Sequence, residues 1–169
     1  MMKIRSFMTM MVAAVAIVFG MSSCGSDDND EPEVALAAQV AGSYTGQEIL
    51  TVDGEPDEGS ATFVFSKSSY TSVDMTIPQY AMGMMTLPAL PVKNIPLTKS
   101  GSTITGKLAS YAGSVTNADG AEKAYTISDV TVIFNDKTVV VTFTMKYGNM
   151  PFVFAGQFTG TRSLSKPLE

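Results

Sequence analysis

The sequence of 169 residues contains no histidine and no tryptophan, and its one cysteine is Cys24. A single cysteine excludes disulfide bonds within the chain. Without histidine, neither a Ser-His-Asp triad nor a Cys-His dyad can form. Zinc in its usual His and Cys coordination also lacks ligands. These absences remove most ordinary hydrolase chemistry, so we expect a protein that is not an enzyme and that has no catalytic residues, cofactor or metal.

Basic residues are also few, since 11 Lys and Arg stand against 16 Asp and Glu, for a formal net charge of −5. Lys3 and Arg5 lie in a predicted signal peptide, which leaves nine basic residues for the rest of the chain. Nucleic-acid binding needs a basic stripe, and electrostatic attachment to a membrane needs a polybasic patch. The charge balance therefore excludes nucleic acid as a partner, and a polybasic membrane surface with it.

Residues 1–23 have the three parts of a secretory signal: a charged start, an apolar run from Phe7 to Phe19, and small residues before Cys24. The run is shorter than the ~20 residues of a membrane-spanning helix. Its end, Met-Ser-Ser-Cys, resembles a bacterial lipobox, in which the cysteine thiol is diacylated and the cysteine becomes the new amino terminus. We therefore expect Cys24 to anchor the protein to a membrane through lipid. A cleaved signal followed by an incidental cysteine is the alternative.

The segment from Gly25 to Glu33 is acidic, contains a proline and has no periodicity. Such a composition stays solvated, so residues 24–39 are predicted to form a lipidated cysteine and a flexible tether. The segment also resembles the acidic export signal that follows the lipidated cysteine in surface-displayed lipoproteins of the Bacteroidota. We expect an outer-membrane location with exposure at the cell surface; a plain tether and a periplasm-facing protein are the alternatives.

Residues 40–165 are predicted to form one all-β domain, because apolar and polar residues alternate in short runs separated by turn residues. The clearest run is Thr138 to Met145, in which Val139, Val141, Phe143 and Met145 share one face. About eight strands joined by short turns form a meander. Closure into an antiparallel up-and-down β-barrel would remove the exposed edges of such a sheet.

Two stretches of this domain are predicted to be irregular. Glu55 to Gly59 extends the turn at Asp53-Gly54 into a longer loop. Four prolines between Pro78 and Pro96 predict a long loop or an irregular edge, because proline cannot donate to a strand ladder.

A repeated pattern supports closure of the barrel. Gly42-Ser43-Tyr44-Thr45-Gly46 in the first strand and Gly156-Gln157-Phe158-Thr159-Gly160 in the last both read Gly-x-aromatic-Thr-Gly. Glycines permit strong coiling and close approach of two backbones. The pattern predicts that the first and last strands meet at a seam, with coincidence as the alternative.

Three segments carry a resemblance to a known family. They are Val40 to Gly46, the Pro-Val-Lys-Asn-Ile-Pro-Leu-Thr run at residues 91–98, and Met150 to Phe154 ahead of Phe158-Thr159-Gly160. Together they resemble the calycin-like β-barrel domain of Bacteroidota lipoproteins over most of residues 40–162. The resemblance implies a lipocalin-type closed barrel on a lipid anchor and brings no catalytic residues. Calycins often have Gly-x-Trp in the first strand, whereas this chain has Tyr44.

Several residue sets are candidate sites. Either the interior of the barrel is solid and its aromatic residues form core, or some of them line a pocket for a small apolar ligand. The candidate ligand-binding residues are Tyr44, Phe63, Phe65, Phe143, Met145, Phe154 and Phe158.

Three further residue sets are weaker candidates for a site. Asp53, Glu55, Asp57 and Glu58 could bind calcium but are expected to form a solvated loop. Met75, Met82, Met84 and Met85 could form an apolar lid or a Cu(I) site but are expected to pack at the rim. Asp74 and Asp129 could form a glycosidase-like carboxylate pair but are expected to face water.

Two functions remain open on this evidence. The first is a non-enzymatic binding module on the outer membrane, which holds a small apolar molecule or contacts an envelope protein. The second is a structural lipoprotein with a filled barrel and an outer face that docks other envelope components.

Overall fold

The computed structural model describes residues 34–83 and 85–163. These residues form one short helix and ten strands, which confirms the predicted all-β class. The elements are α1 (Leu36–Val40), β1 (Gly42–Val52), β2 (Glu55–Lys67), β3 (Ser72–Ile77), β4 (Tyr80–Met82), β5 (Met85–Leu87), β6 (Leu90–Ser100), β7 (Thr103–Thr116), β8 (Glu122–Asn135), β9 (Thr138–Tyr147) and β10 (Phe154–Arg162). Within this part of the chain, no helix is long and apolar enough to cross a membrane.

Eight of the strands close into an antiparallel barrel in the order β1-β2-β3-β6-β7-β8-β9-β10, and β10 pairs with β1. β4 and β5 form a separate two-stranded hairpin between β3 and β6. Each barrel strand thus neighbours the strand before it, apart from this insertion. The predicted up-and-down barrel of about eight strands is confirmed.

The seam between β1 and β10 depends on glycine. Gly46 lies directly opposite Gly160. A Cβ atom added at Gly46 would lie 2.1 Å from the Thr159 carbonyl oxygen and 2.4 Å from Gly160 Cα. These neighbours are backbone atoms of a paired strand, so they cannot move aside cheaply. The repeated Gly-x-aromatic-Thr-Gly pattern therefore marks the strands that close the barrel, as predicted.

The link between β1 and β2 is shorter than expected. Val52 pairs with Glu55, so Asp53 and Gly54 alone form the turn. Both have positive φ, 51° and 85°, as a two-residue type I′ turn requires. The prediction of a loop from Glu55 to Gly59 is wrong, because this tight turn lets β2 pair with β1 from its first residue.

The proline-rich stretch is more regular than expected, since it contains β4, β5 and most of β6. Pro91 and Pro96 lie within β6 and pair with β3. β6 pairs with β7 only from Leu97 to Ser100, so neither proline interrupts that ladder. The predicted irregular edge therefore corresponds to the gap between β6 and β7 ahead of Leu97.

The ordered domain begins before the predicted boundary at residue 40. In α1, Ala37 and Val40 are buried, and the helix packs against β2, β3 and β6. The Tyr44 hydroxyl donates to the Val40 carbonyl at 3.0 Å, and the Arg162 guanidinium donates to the carbonyls of Gln39 and Ala41. The prediction of a flexible tether through residue 39 is therefore corrected for residues 36–39. Residues 1–33 and 164–169, with the predicted signal peptide, Cys24 and most of the tether, lie outside the described residues.

The core lies inside the barrel and follows the alternation of the strands. In β9 the predicted inward face is confirmed, since Val139, Val141, Phe143 and Met145 are all buried while Thr142 and Thr144 are not. Along most of the barrel strands one face packs in the interior and the other faces solvent, whereas β7 has no buried residue beyond Gly106.

Gly46→Ala is expected to lower the free energy of unfolding by about 2 kcal/mol or more, because the new methyl group overlaps the β10 backbone. Urea denaturation followed by circular dichroism measures the loss. Gly59→Ala is the matched control, since nothing lies within 4 Å of a Cβ atom added there. The control should change stability by less than about 1 kcal/mol. Equal losses in both variants would contradict the seam's dependence on close backbone approach.

Candidate functional site

The seven residues predicted to bind ligand all lie in the packed interior, with 0–3% of each exposed. Phe63 and Phe158 stack with ring centroids 4.3 Å apart, and Tyr44 meets Phe65 edge to face at 5.6 Å. Phe63 also meets Phe143, at 6.4 Å. The structure thus brings these side chains together as contacts of one another. A ligand-binding role for them stays a prediction.

The side chains of the other candidate sets do not come together. Asp74 pairs with Lys93 at 2.9 Å and accepts a hydrogen bond from the Asn94 N–H, also at 2.9 Å. Partial burial favours the neutral form, yet these donors hold the Asp74 pKa below its ordinary value. Asp129 is exposed at an irregularity of β8 with φ of 54°. The two carboxylates therefore have separate surroundings.

The methionine set is divided between the core and the β4–β5 hairpin. Met75 is fully buried within β3. Met82 and Met85 belong to β4 and β5. Met84 lies outside the described residues.

A charged side chain is buried on the inner face of β1. The inward positions of β1 run from Tyr44 through Gly46 and Glu48 to Leu50 and Val52. Glu48 is 7% exposed and is the buried charged residue among those the structure describes. No described group donates a hydrogen bond to its carboxyl. Burial raises the pKa of Glu48 to about 7.

The strands beside Glu48 explain why space remains next to it. On β10 its partner is Phe158, which is fully buried, but on β2 its partner is Gly59, which has no side chain. A Cβ atom added at Gly59 would meet nothing within 4 Å. The carboxyl therefore has a packed ring on one side and open space on the other.

The other edge of β2 is open along the same stretch. β2 pairs with β3 only from Val64 to Lys67, so residues 55–63 bond to β1 alone in the described ladders. The barrel wall splits here, and alternate backbone N–H and C=O groups of β2 point away from β1.

A cavity of about 360 Å³ occupies this split and is lined by Glu48, by residues 57–62 of β2 and by residues 78–81 at the start of the β4–β5 hairpin. We call it the Glu48 cavity. The Tyr80 hydroxyl donates to the Asp57 carboxylate across it. Burial raises the pKa of Tyr80, and the hydrogen bond to Asp57 and the negative charges of Asp57 and Glu48 raise it further.

The cavity wall is acidic. It contains the carboxyl groups of Glu48 and Asp57, whereas the Glu58 carboxyl accepts from Gln47 on the outer face, and no basic side chain is among the described lining residues. Over residues 34–83 and 85–163, no three acidic or other metal-ligating side chains come together to hold a metal ion. The arrangement can therefore attract positive charge and accept hydrogen bonds without forming a metal centre.

The sequence contained a signal for this site that was missed. In Tyr44 to Val52 a glutamate occupies an inward position of an otherwise apolar or glycine series. The acidic composition of residues 55–59 predicts a solvated loop, which conceals the pairing of Asp57 and Glu58 with β1.

The closed antiparallel barrel of eight strands with a filled core defines a calycin-type domain. The chain belongs to the calycin-like beta-barrel domain family, whose model matches residues 40–161. No curated protein matches the chain.

A solved structure from Bacteroides fragilis, provisionally named as an outer membrane protein, has a TM-score of 0.58 and 18% identity to this chain. The match covers 76% of this chain and 53% of that one, so the chain spans about half the length of that protein. At this identity the likeness shows the fold alone.

Glu48→Gln is expected to make unfolding less dependent on pH. The folded-state pKa of about 7 lies above the ordinary value of 4.5, so the wild type loses stability as pH rises between these values. The advantage of Glu48→Gln over wild type should grow by on the order of 2 kcal/mol from pH 4.5 to pH 8. This is less than the full pKa shift implies, because solvent in the cavity screens part of the burial.

Urea denaturation at several pH values measures this difference. Glu55→Gln, at the exposed start of β2, is the control and should change stability by less than about 0.5 kcal/mol. A difference between wild type and Glu48→Gln that stays constant with pH would show that burial does not perturb this carboxyl.

Proposed function

We propose that the protein is a non-enzymatic, lipid-anchored protein of the outer membrane, exposed at the cell surface, whose barrel binds a small ligand in the Glu48 cavity. The observation that carries the proposal is the buried Glu48 carboxyl, which faces a cavity and has no donor among the described residues. The volume of about 360 Å³ falls within the range of small-molecule sites.

The energetics of Glu48 support a binding role. Partial desolvation of the Glu48 carboxyl, which meets solvent through the cavity, costs free energy, and Gln or an apolar residue would cost less at this position. Groups that destabilise a fold concentrate at functional sites, where a ligand satisfies them. A ligand that reaches Glu48 would supply the missing partner.

A binding role agrees better with the residue types than a catalytic one. The sequence has no histidine, and its one cysteine lies far from the barrel in sequence. The Tyr80 hydroxyl is already committed to Asp57, and its pKa is raised, so it is a poor nucleophile. Recognition of a ligand needs only the acceptors that line the cavity.

A second candidate is a structural lipoprotein whose outer face docks a partner in the envelope. The filled aromatic core favours it, because it leaves the centre of the barrel no room for a ligand. Ile133 and Val140, which lie opposite each other in β8 and β9, are exposed and apolar, as is Val64 on β2. These side chains would contribute to a docking face.

Native mass spectrometry of the protein purified from its own host should reveal a bound small molecule. Gly59→Leu is expected to abolish the added mass, because the new side chain enters the Glu48 cavity without removing a carboxyl. Ala155→Leu, exposed on β10, is the control and should retain the molecule. Wild type that is free of ligand, with an unchanged mass in both variants, would favour the structural role instead.

Lipid attachment at Cys24 is tested separately, since this residue lies outside the described part of the chain. Metabolic labelling with palmitate should mark the wild type, whereas Cys24→Ala should remain unlabelled and shift out of the membrane fraction. Protease treatment of intact cells then distinguishes surface exposure from a periplasm-facing protein. A Cys24→Ala variant that stays as firmly in the envelope would refute the anchor.

A further inference from the structure

We propose that the Glu48 cavity selects an organic cation, with the Glu48 carboxylate as its charge partner. This inference rests on the proposed binding function and adds the chemical class of the ligand. Four features of the cavity lead to it: its charge, the unpaired carboxyl, the open strand edge and the aromatic side chain of Tyr80.

The negative charge of the cavity wall excludes an anionic ligand. The Glu48 and Asp57 carboxyls face the cavity, and the described lining residues include no Lys or Arg. An anion would face like charges in a site that is partly shielded from water, where repulsion is strong. A cation gains from the same field.

The hydrogen-bonding pattern also calls for a donor. Asp57 already accepts from the Tyr80 hydroxyl, but no described donor reaches Glu48. An ammonium group presents up to three N–H donors. One can satisfy Glu48, while the others can reach carbonyl oxygens on the open edge of β2 between residues 57 and 62.

A metal ion fits less well than an organic cation. Hard cations such as Ca²⁺ take six to eight oxygen ligands. No cluster of three metal-ligating side chains exists in residues 34–83 and 85–163. By contrast, the cavity of about 360 Å³ has room for the carbon skeleton of an amine. Tyr80 supplies an aromatic ring in the wall, and such rings attract cations.

Three ring compounds of similar shape test the charge requirement: benzylamine, benzyl alcohol and benzoate. Titration of ¹⁵N-labelled protein at pH 8 should show benzylamine shifting the amide signals of Gly59 to Thr62. Benzyl alcohol should bind at least tenfold more weakly, and benzoate should leave these signals unchanged. Benzyl alcohol or benzoate binding as tightly as benzylamine would overturn the inference, as would the failure of all three to bind.

Variants assign the effect to Glu48. Glu48→Gln keeps the shape of the side chain and should weaken benzylamine binding at least tenfold, while Glu55→Gln, outside the cavity lining, should bind like wild type. Unchanged binding by Glu48→Gln would remove Glu48 as the charge partner. Gly59→Leu should abolish binding of any probe that enters the cavity.

Proton release gives an independent measurement. The cation stabilises ionised Glu48, so binding near pH 7 should release about half a proton per site, and affinity should rise from pH 6 to pH 8. The titratable groups on the cavity side of Glu48 are Asp57 on β2 and Tyr80 on β4, whereas Glu58 of β2 bonds to Gln47 on the outer face. Calorimetry in two buffers of different ionisation enthalpy measures the release, and its absence in wild type would contradict the inference.

The two proposals can fail separately. A neutral or anionic molecule that copurifies with wild type and is lost in Gly59→Leu would support the binding function and overturn the cation inference. Wild type without copurified ligand, and without shifts by any of the three probes, would overturn both.

Discussion

The barrel depends on one close approach, that of the β1 and β10 backbones at Gly46 and Gly160. Closure at this point removes the free edges that an eight-strand meander would otherwise expose. It also gives the apolar faces of all eight strands one shared interior. The stacked rings of Phe63 and Phe158 fill that interior beside the seam.

The open edge next to Glu48 lies one strand away from the seam. β1 pairs along most of its length with both β2 and β10, so the wall is continuous around it. On the far side of β2, pairing with the six-residue β3 begins only at Val64. The first half of β2 is therefore left with an open edge, beside which the β4–β5 hairpin supplies Tyr80. Glu48, Gly59 and this edge together form the Glu48 cavity.

The packed core and the Glu48 cavity have different roles. The centre of the barrel is packed with aromatic side chains and leaves them no free surface, so it contributes stability. The Glu48 cavity contains a carboxyl whose pKa is raised to about 7 by burial, and this carboxyl contributes no stability at neutral pH. On the proposed function, recognition is confined to a lateral site, and the core does not have to open.

Local patterns account for most of the fold that was predicted. Alternation identified β9 and its buried face, and the repeated Gly-x-aromatic-Thr-Gly pattern identified the strands at the seam. Local patterns failed where a tertiary contact overrode composition. Acidic residues at 55–59 suggested a loop, yet the turn at Asp53-Gly54 pairs them with β1. Residues 36–39 follow closely on an acidic segment, yet the buried Ala37 holds them against the barrel.

The sequence by itself determined the fold class, the number of barrel strands and the meeting of the first and last strands. The reason is that period-two alternation and the repeated glycine pattern are both contained in short runs of adjacent residues. It also contained the charged residue at an inward position of β1. Only the tertiary structure decided that Glu48 lies beside an open strand edge instead of a packed wall. That depends on how far β3 pairs along β2, and the length of such a pairing is determined by contacts between distant segments of the chain.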